Sequence, residues 1–100
     1  MSFIVVMAEL LPKEGAEEKL IPLAEALVEE TLKEEGNIDY KCLRSLKEGT
    51  FTFVEQWESV EALSKHMASP HFQLFSKESA DLAENMEIRV LGAEEVNLYE

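Results

Sequence analysis

Between Phe51 and Phe75 the chain gathers a carboxylate, an indole and both of its imidazoles, in Glu55, Trp57, His66 and His71. These are the types that move protons. An imidazole exchanges a proton near neutral pH, a carboxylate can orient it, and an indole donates a hydrogen bond without accepting one. Strand alternation from Phe51 to Trp57 puts Phe51, Phe53, Glu55 and Trp57 on one face, leaving Glu55 in apolar company. A carboxylate placed there must find a donor or a cation or stay protonated. A polar partner is therefore expected across the pocket, and the nearest candidate is His66. The bland alternative is a partly buried imidazole bonded to Glu55 or to backbone, holding a helix to the sheet. Trp57 has a similar alternative as a core anchor, and Glu55 as a structural acceptor.

The spacing of His66 and His71 is not that of a helical zinc pair, and no third ligand is evident near them, so no metal site is expected. His71 is expected at the surface or at a helix start. Glycine-rich phosphate loops and a nucleophile elbow are both absent.

The elements that must position these groups follow from periodicity. Phe3–Leu11 reads as a central strand, apolar on both faces except for Glu9. A long helix opens near Gly15 and closes before Gly36, with Ala16, Leu20, Leu23, Ala24, Leu27, Val28 and Leu32 along one stripe and Pro22 within its first two turns. Ile38–Leu46 is a second strand, with Ile38, Tyr40, Cys42 and Leu46 sharing a face, joined by Lys47–Thr50 to a third strand, Phe51–Glu58. Ser59 caps a helix whose apolar positions are Val60, Leu63 and Met67, with His66 beside that stripe. Ser69 and Pro70 open another helix that turns Phe72, Phe75 and Leu82 inward, and Met86, Ile88 and Val90 mark the last strand.

Strand, helix, strand thus occurs twice, which is the ferredoxin-like arrangement of an α+β fold with a four-stranded antiparallel sheet. Right-handed crossovers put the helices on one face. The other face, carrying residues such as Val6 or Val54, would expose too much apolar surface for a monomer, so a second subunit is expected to cover it. The pocket would then lie between each sheet and its own helices.

With 100 residues, the chain has room for one domain, 1–100. Its net charge of -12 disfavours nucleic acid and anionic membranes as partners. Glu14, Glu17, Glu18, Glu25, Glu29, Glu30, Glu34 and Glu35 gather about one helix and are read as its solvated face. A lone cysteine, Cys42, fits a reducing compartment, and neither a membrane span nor a leader is read, so cytoplasmic residence is the default expectation.

The ordered set E-G-N-I-D-Y at 35–40, E-Q-W-E-S at 55–59, His66 and S-P-H-F at 69–72 resembles the antibiotic biosynthesis monooxygenase family, particularly its small quinol-monooxygenase-like members. The resemblance implies a ferredoxin-like βαββαβ protomer in a homodimeric α+β barrel. It also implies oxidation of a small quinol or phenol by dioxygen without metal, flavin or other cofactor. Trp57 matches the tryptophan implicated in aromatic polyketide oxidation, whereas Phe53 and Leu63 stand where that branch has asparagine and tyrosine. His66 is then the available catalytic base, with Glu55 orienting it and Trp57 donating its indole hydrogen. Phe53, Leu63, Phe72 and Phe75 form the substrate pocket. In the haem-degrading branch of the family, an asparagine, a tryptophan and a histidine iron ligand correspond to Leu10, His66 and Ser76 here, which disfavours haem. Two other classes stay open: an isomerase or other enzyme acting on a small carbonyl compound, and a non-catalytic small-molecule-binding dimer.

Overall fold

A computed structural model of the chain describes residues 2–98. The elements run β1 (Ser2–Pro12), α1 (Glu17–Thr31), β2 (Asn37–Arg44), β3 (Phe51–Trp57), α2 (Val60–Met67), α3 (Pro70–Ser79) and β4 (Ala83–Glu94). The strands form one four-stranded sheet in the order β2-β3-β1-β4. Every pairing is antiparallel, and β1 and β3 are central. This is the expected ferredoxin-like α+β arrangement, with the second crossover broken into two short helices.

Strand pairing decides which residues face the helices. Val6 lies opposite Glu55 on β3 and Val90 on β4, while Met7 lies opposite Val54 and Arg89. Glu55 belongs to the buried set Phe51, Phe53, Glu55 and Trp57, so Val6, Ala8 and Leu10 share the helix face and are buried with it. The expectation for Val6 is therefore corrected. Val5, Met7 and Val54 line the opposite face, and Val6 is core.

Other boundaries also move. On β2 the register shifts between Asn37 and Asp39, which leaves Ile38 half exposed while Tyr40 is buried. β2 ends at Arg44, and Leu46 stands fully exposed in the following turn. On α1 the stripe closes with Thr31, completely buried, rather than with Leu32, which is exposed. Pro22 stays inside α1. α3 ends before Leu82, whose backbone carbonyl instead accepts from Lys13 N–H at 2.8 Å.

α2 buries Ala62, Leu63 and His66 and leaves Val60 and Met67 exposed. Its inward face is thus centred on His66, not on the Val60–Leu63–Met67 stripe. Both cap assignments hold: Ser59 Oγ accepts from Ala62 N–H at 3.1 Å, and Ser69 Oγ accepts from Phe72 N–H at 3.2 Å.

Candidate active site

His66 is buried on the inner face of α2, 1% exposed. Its ring lies against Trp57, Phe72 and Tyr40, with centroids 4.7, 5.0 and 5.4 Å away. The chain's two histidines meet through one acid. His66 Nδ1 lies 2.6 Å from Glu34 Oε2, and His71 Nε2 lies 2.7 Å from the same oxygen. His66 Nε2 is buried and has no hydrogen-bond partner among the described residues.

The turn after α1 brings Glu34 to this place. Gly36 has φ +88 and packs so closely on α2 that a Cβ there would stand 2.6 Å from the Ala62 Cβ. Its carbonyl accepts from Glu58 N–H at 2.9 Å, and Asn37 Nδ2 donates to the Asp39 carbonyl at 3.1 Å. The turn is thereby pinned against the start of α2, with Glu34 folded inward. His71 arrives from the first turn of α3, which Ser69 fastens to α2 by donating Oγ–H to the His66 carbonyl at 2.6 Å.

Glu55 does not orient His66. Its Oε1 accepts the Trp57 indole N–H at 3.0 Å, a pairing within one strand face between residues two positions apart. Glu34 holds His66 instead. The expectation placed Glu34 among solvated acids and His71 at the surface or at a helix start; their side chains are only 15% and 22% exposed. His71 does sit at a helix start, as expected, but turned inward.

Burial dominates the electrostatics. It pushes the Glu55 carboxyl up to about 7, with the indole bond pulling down and the Glu34 charge pushing further up. Burial lowers the His66 imidazole below its ordinary 6.5, against the opposing pull of Glu34. Burial also raises the Tyr40 phenol far above its usual range, helped by the Glu55 charge, so it is a neutral wall.

His66 and Glu55 line a common cavity of about 70 Å³ between the sheet and the helices. Phe53, Leu63, Phe72 and Phe75, the expected pocket residues, all line it. Trp57 does not reach the lining and stands behind Glu55 and His66, supporting both. Sequence reasoning missed Tyr40 as a wall, and it missed Met86, Ile88 and Val90 of β4, which line the cavity while remaining about half exposed and so form its mouth.

Glu34, His66 and His71 are also the donor set that could gather round a cation, their nearest ligand atoms lying within 4.8 Å of one another. The third ligand missing from the sequence reading is therefore present. The N···O separations of 2.6 and 2.7 Å are nonetheless hydrogen-bond lengths. They are shorter than the roughly 3 Å edges between ligands held about 2.1 Å from a metal. As arranged, the three groups satisfy one another by proton sharing.

The sequence profile of the family described as "Antibiotic biosynthesis monooxygenase" matches residues 3–78. A relative from Bacillus subtilis named "Putative monooxygenase YcnE" is 31% identical over 80 residues, covering 79% of this chain and 84% of its own. "Probable quinol monooxygenase YgiN" of Escherichia coli is 27% identical over 99 residues, covering 88% and 95%. Among solved structures, a conserved protein from Methanosarcina mazei superposes with a TM-score of 0.87 at 31% identity, covering 91% of this chain and 92% of its own. The matched span contains Glu34, Glu55, Trp57, His66 and His71. By this match the chain belongs to the antibiotic biosynthesis monooxygenase family.

Proposed function

We propose that the chain is a cofactor-independent monooxygenase that oxidises a small quinol, phenol or related aromatic in the cavity between sheet and helices, and that it works as a homodimer. The observation that supports this most is that His66, whose buried Nε2 has no hydrogen-bond partner among the described residues, lines a mainly apolar cavity together with Phe53, Phe72, Phe75, Tyr40 and Glu55. In this reading the substrate hydroxyl gives its proton to Nε2, and the electron-rich anion passes one electron to dioxygen. Radical recombination then forms a C–O bond to a hydroperoxide. Loss of the proton on that carbon, with cleavage of the O–O bond, releases water and leaves the quinone. Both electron pairs come from the substrate. The aromatic walls exclude water and set the ring against the base.

The test is oxygen uptake by metal-stripped protein over a panel of hydroquinones and phenols, corrected for autoxidation. His66→Ala is expected to lower kcat by about 100-fold or more, the usual scale of a lost general base. In the wild type the acid limb of kcat/KM should fall below pH 6.5, because the imidazole must be neutral to act and burial lowers its affinity for protons. Uptake unchanged in His66→Ala would remove the assigned base.

One observation favours a second reading. Glu55, carrying a proton up to about pH 7, lines the same cavity as His66, an acid and base pair suited to isomerising a small carbonyl compound. Deuterium exchange into an enolisable ketone without oxygen consumption would select it.

A further inference from the structure

We infer that Glu34, braced by His71, is a positioning residue that holds the His66 ring proton on Nδ1 and so keeps Nε2 free of a proton. The catalytic consequence rests on the reading of His66 as base, whereas the proton placement stands on geometry alone. A carboxylate oxygen can only accept, so each ring nitrogen at hydrogen-bond distance from Glu34 Oε2 must bring a hydrogen. For His66 that nitrogen is Nδ1. A neutral imidazole carries one ring proton, and Nε2 is left as a lone-pair acceptor, which agrees with its lack of a donor among the described residues.

Three elements converge to make this arrangement. Glu34 comes from the turn that Gly36 seats on α2, His66 from α2 and His71 from the first turn of α3. His71 adds a second donor to the oxygen that holds His66, which fixes the carboxylate's rotation as well as its place. Exposure rises from 1% at His66 to 15% at Glu34 and 22% at His71, so Glu34 and His71 stand between the buried base and water. Once Nε2 has taken a proton, the imidazolium is 2.6 Å from a carboxylate through its other nitrogen. A neutral acceptor would hold the tautomer without stabilising that charge.

This separates two roles that one substitution can tell apart. In Glu34→Gln the amide oxygen can still accept from Nδ1–H, so the tautomer is kept and only the counter-charge is lost. In Glu34→Ala both are lost. The titratable groups that face His66 are Glu34 and His71 from the neighbouring turn and helix, and Tyr40 and Glu55 from the sheet.

The experiment is nitrogen NMR of histidine-labelled protein across pH, with oxygen uptake measured on the same samples. Wild type is expected to show His66 with a protonated Nδ1 and a bare Nε2 above its titration. Glu34→Gln should keep that pattern, lower the His66 midpoint by about one pH unit or more and reduce kcat about tenfold or more with KM little changed. Glu34→Ala should move the ring proton toward Nε2. The near-isosteric glutamine variant guards against misfolding, and His66→Ala assigns the resonances. A wild-type His66 protonated on Nε2, or an Nδ1 proton that persists in Glu34→Ala, would overturn the inference. If no substrate supports oxygen uptake, the oxygenase reading falls while the nitrogen spectra still decide the placement of the proton. If uptake depends on His66 and neither Glu34 variant alters kcat or the spectra, this inference alone falls.

Discussion

Glu55 is the residue whose chemistry is set most directly by where the strand puts it. It is 5% exposed, its carboxyl is raised from an ordinary 4.5 to about 7, and its hydrogen bond comes from the indole two positions along. The folded protein therefore binds a proton on Glu55 that the unfolded chain releases between pH 4.5 and 7. Because the native state holds the extra proton, this group's contribution to stability falls as pH rises through that window. His66 works in the other direction. Its lowered affinity makes stability rise with pH until the unfolded imidazole loses its proton near 6.5. Glu55→Gln isolates the first effect, since its amide oxygen still accepts from Trp57. Urea unfolding at pH 8 should find this variant more stable than wild type by roughly 2–3 kcal/mol, shrinking toward zero at pH 5. Equal stability at both values would mean that Glu55 is ionised in the folded protein. The apolar company of Glu55 was legible from alternation. Its partner was sought across the pocket, although the same alternation already put Trp57 beside it on one face.

At the scale of elements, the turn between α1 and β2 does more than reverse the chain. Gly36 combines a positive φ with a close approach to Ala62, and that approach carries Glu34 into the site. Gly15 supplies a control, having φ +79 with open space where a Cβ would be. Gly15→Ala should cost about 1 kcal/mol from backbone strain alone, and Gly36→Ala about 3 kcal/mol, because α2 must also shift. Denaturant unfolding of both variants measures the difference, and equal losses would show that the Ala62 contact gives way freely. Gly36 was read as closing the helix, whereas α1 ends at Thr31 and Gly36 closes the turn that follows it; Ser59 and Ser69 were legible as caps. What could not be read was which acid in the run around α1 turns inward, since Glu34 and Glu35 differ only in where the turn aims them. The buried face of α2 was misjudged for a related reason. In a helix of eight residues, Val60–Leu63–Met67 and Ala62–Leu63–His66 are both helical stripes, and the apolar one looked better. Close packing against Gly36 requires the small Ala62 instead, and His66 follows it inward.

For the molecule as a whole, the remaining question is what covers the face of the sheet turned away from the helices. Val5 and Met7 of β1, Leu43 of β2, Val54 of β3 and Leu91 of β4 lie on it, joined across the strands by their pairing. Leu43 and Leu91 are 52% and 38% exposed. Such a face was anticipated from the strand count and the right-handed crossovers. Val54 was placed on it correctly, but the share of β1 was not, because β1 is apolar on both sides and only its register with β3, through Val6 opposite Glu55, tells inside from outside. The charges on the face come in both signs, with Asp39, Glu9 and Glu87 set among Lys41 and Arg89. The net charge of -12 is therefore mostly elsewhere, and two such faces can approach without bringing the acids of α1 together. Two sheets packed by a twofold axis would bury the apolar centre and leave the cavity mouth at Met86, Ile88 and Val90 on the helix side of each sheet. Val54→Glu places a carboxylate at that centre, opposite Met7 and Lys41. Sedimentation velocity should give the wild type twice the 11.3 kDa mass of the chain and the variant a single chain mass at micromolar concentration. A wild-type monomer would refute the face-to-face dimer outright, and a variant that stays dimeric would move the interface to another surface.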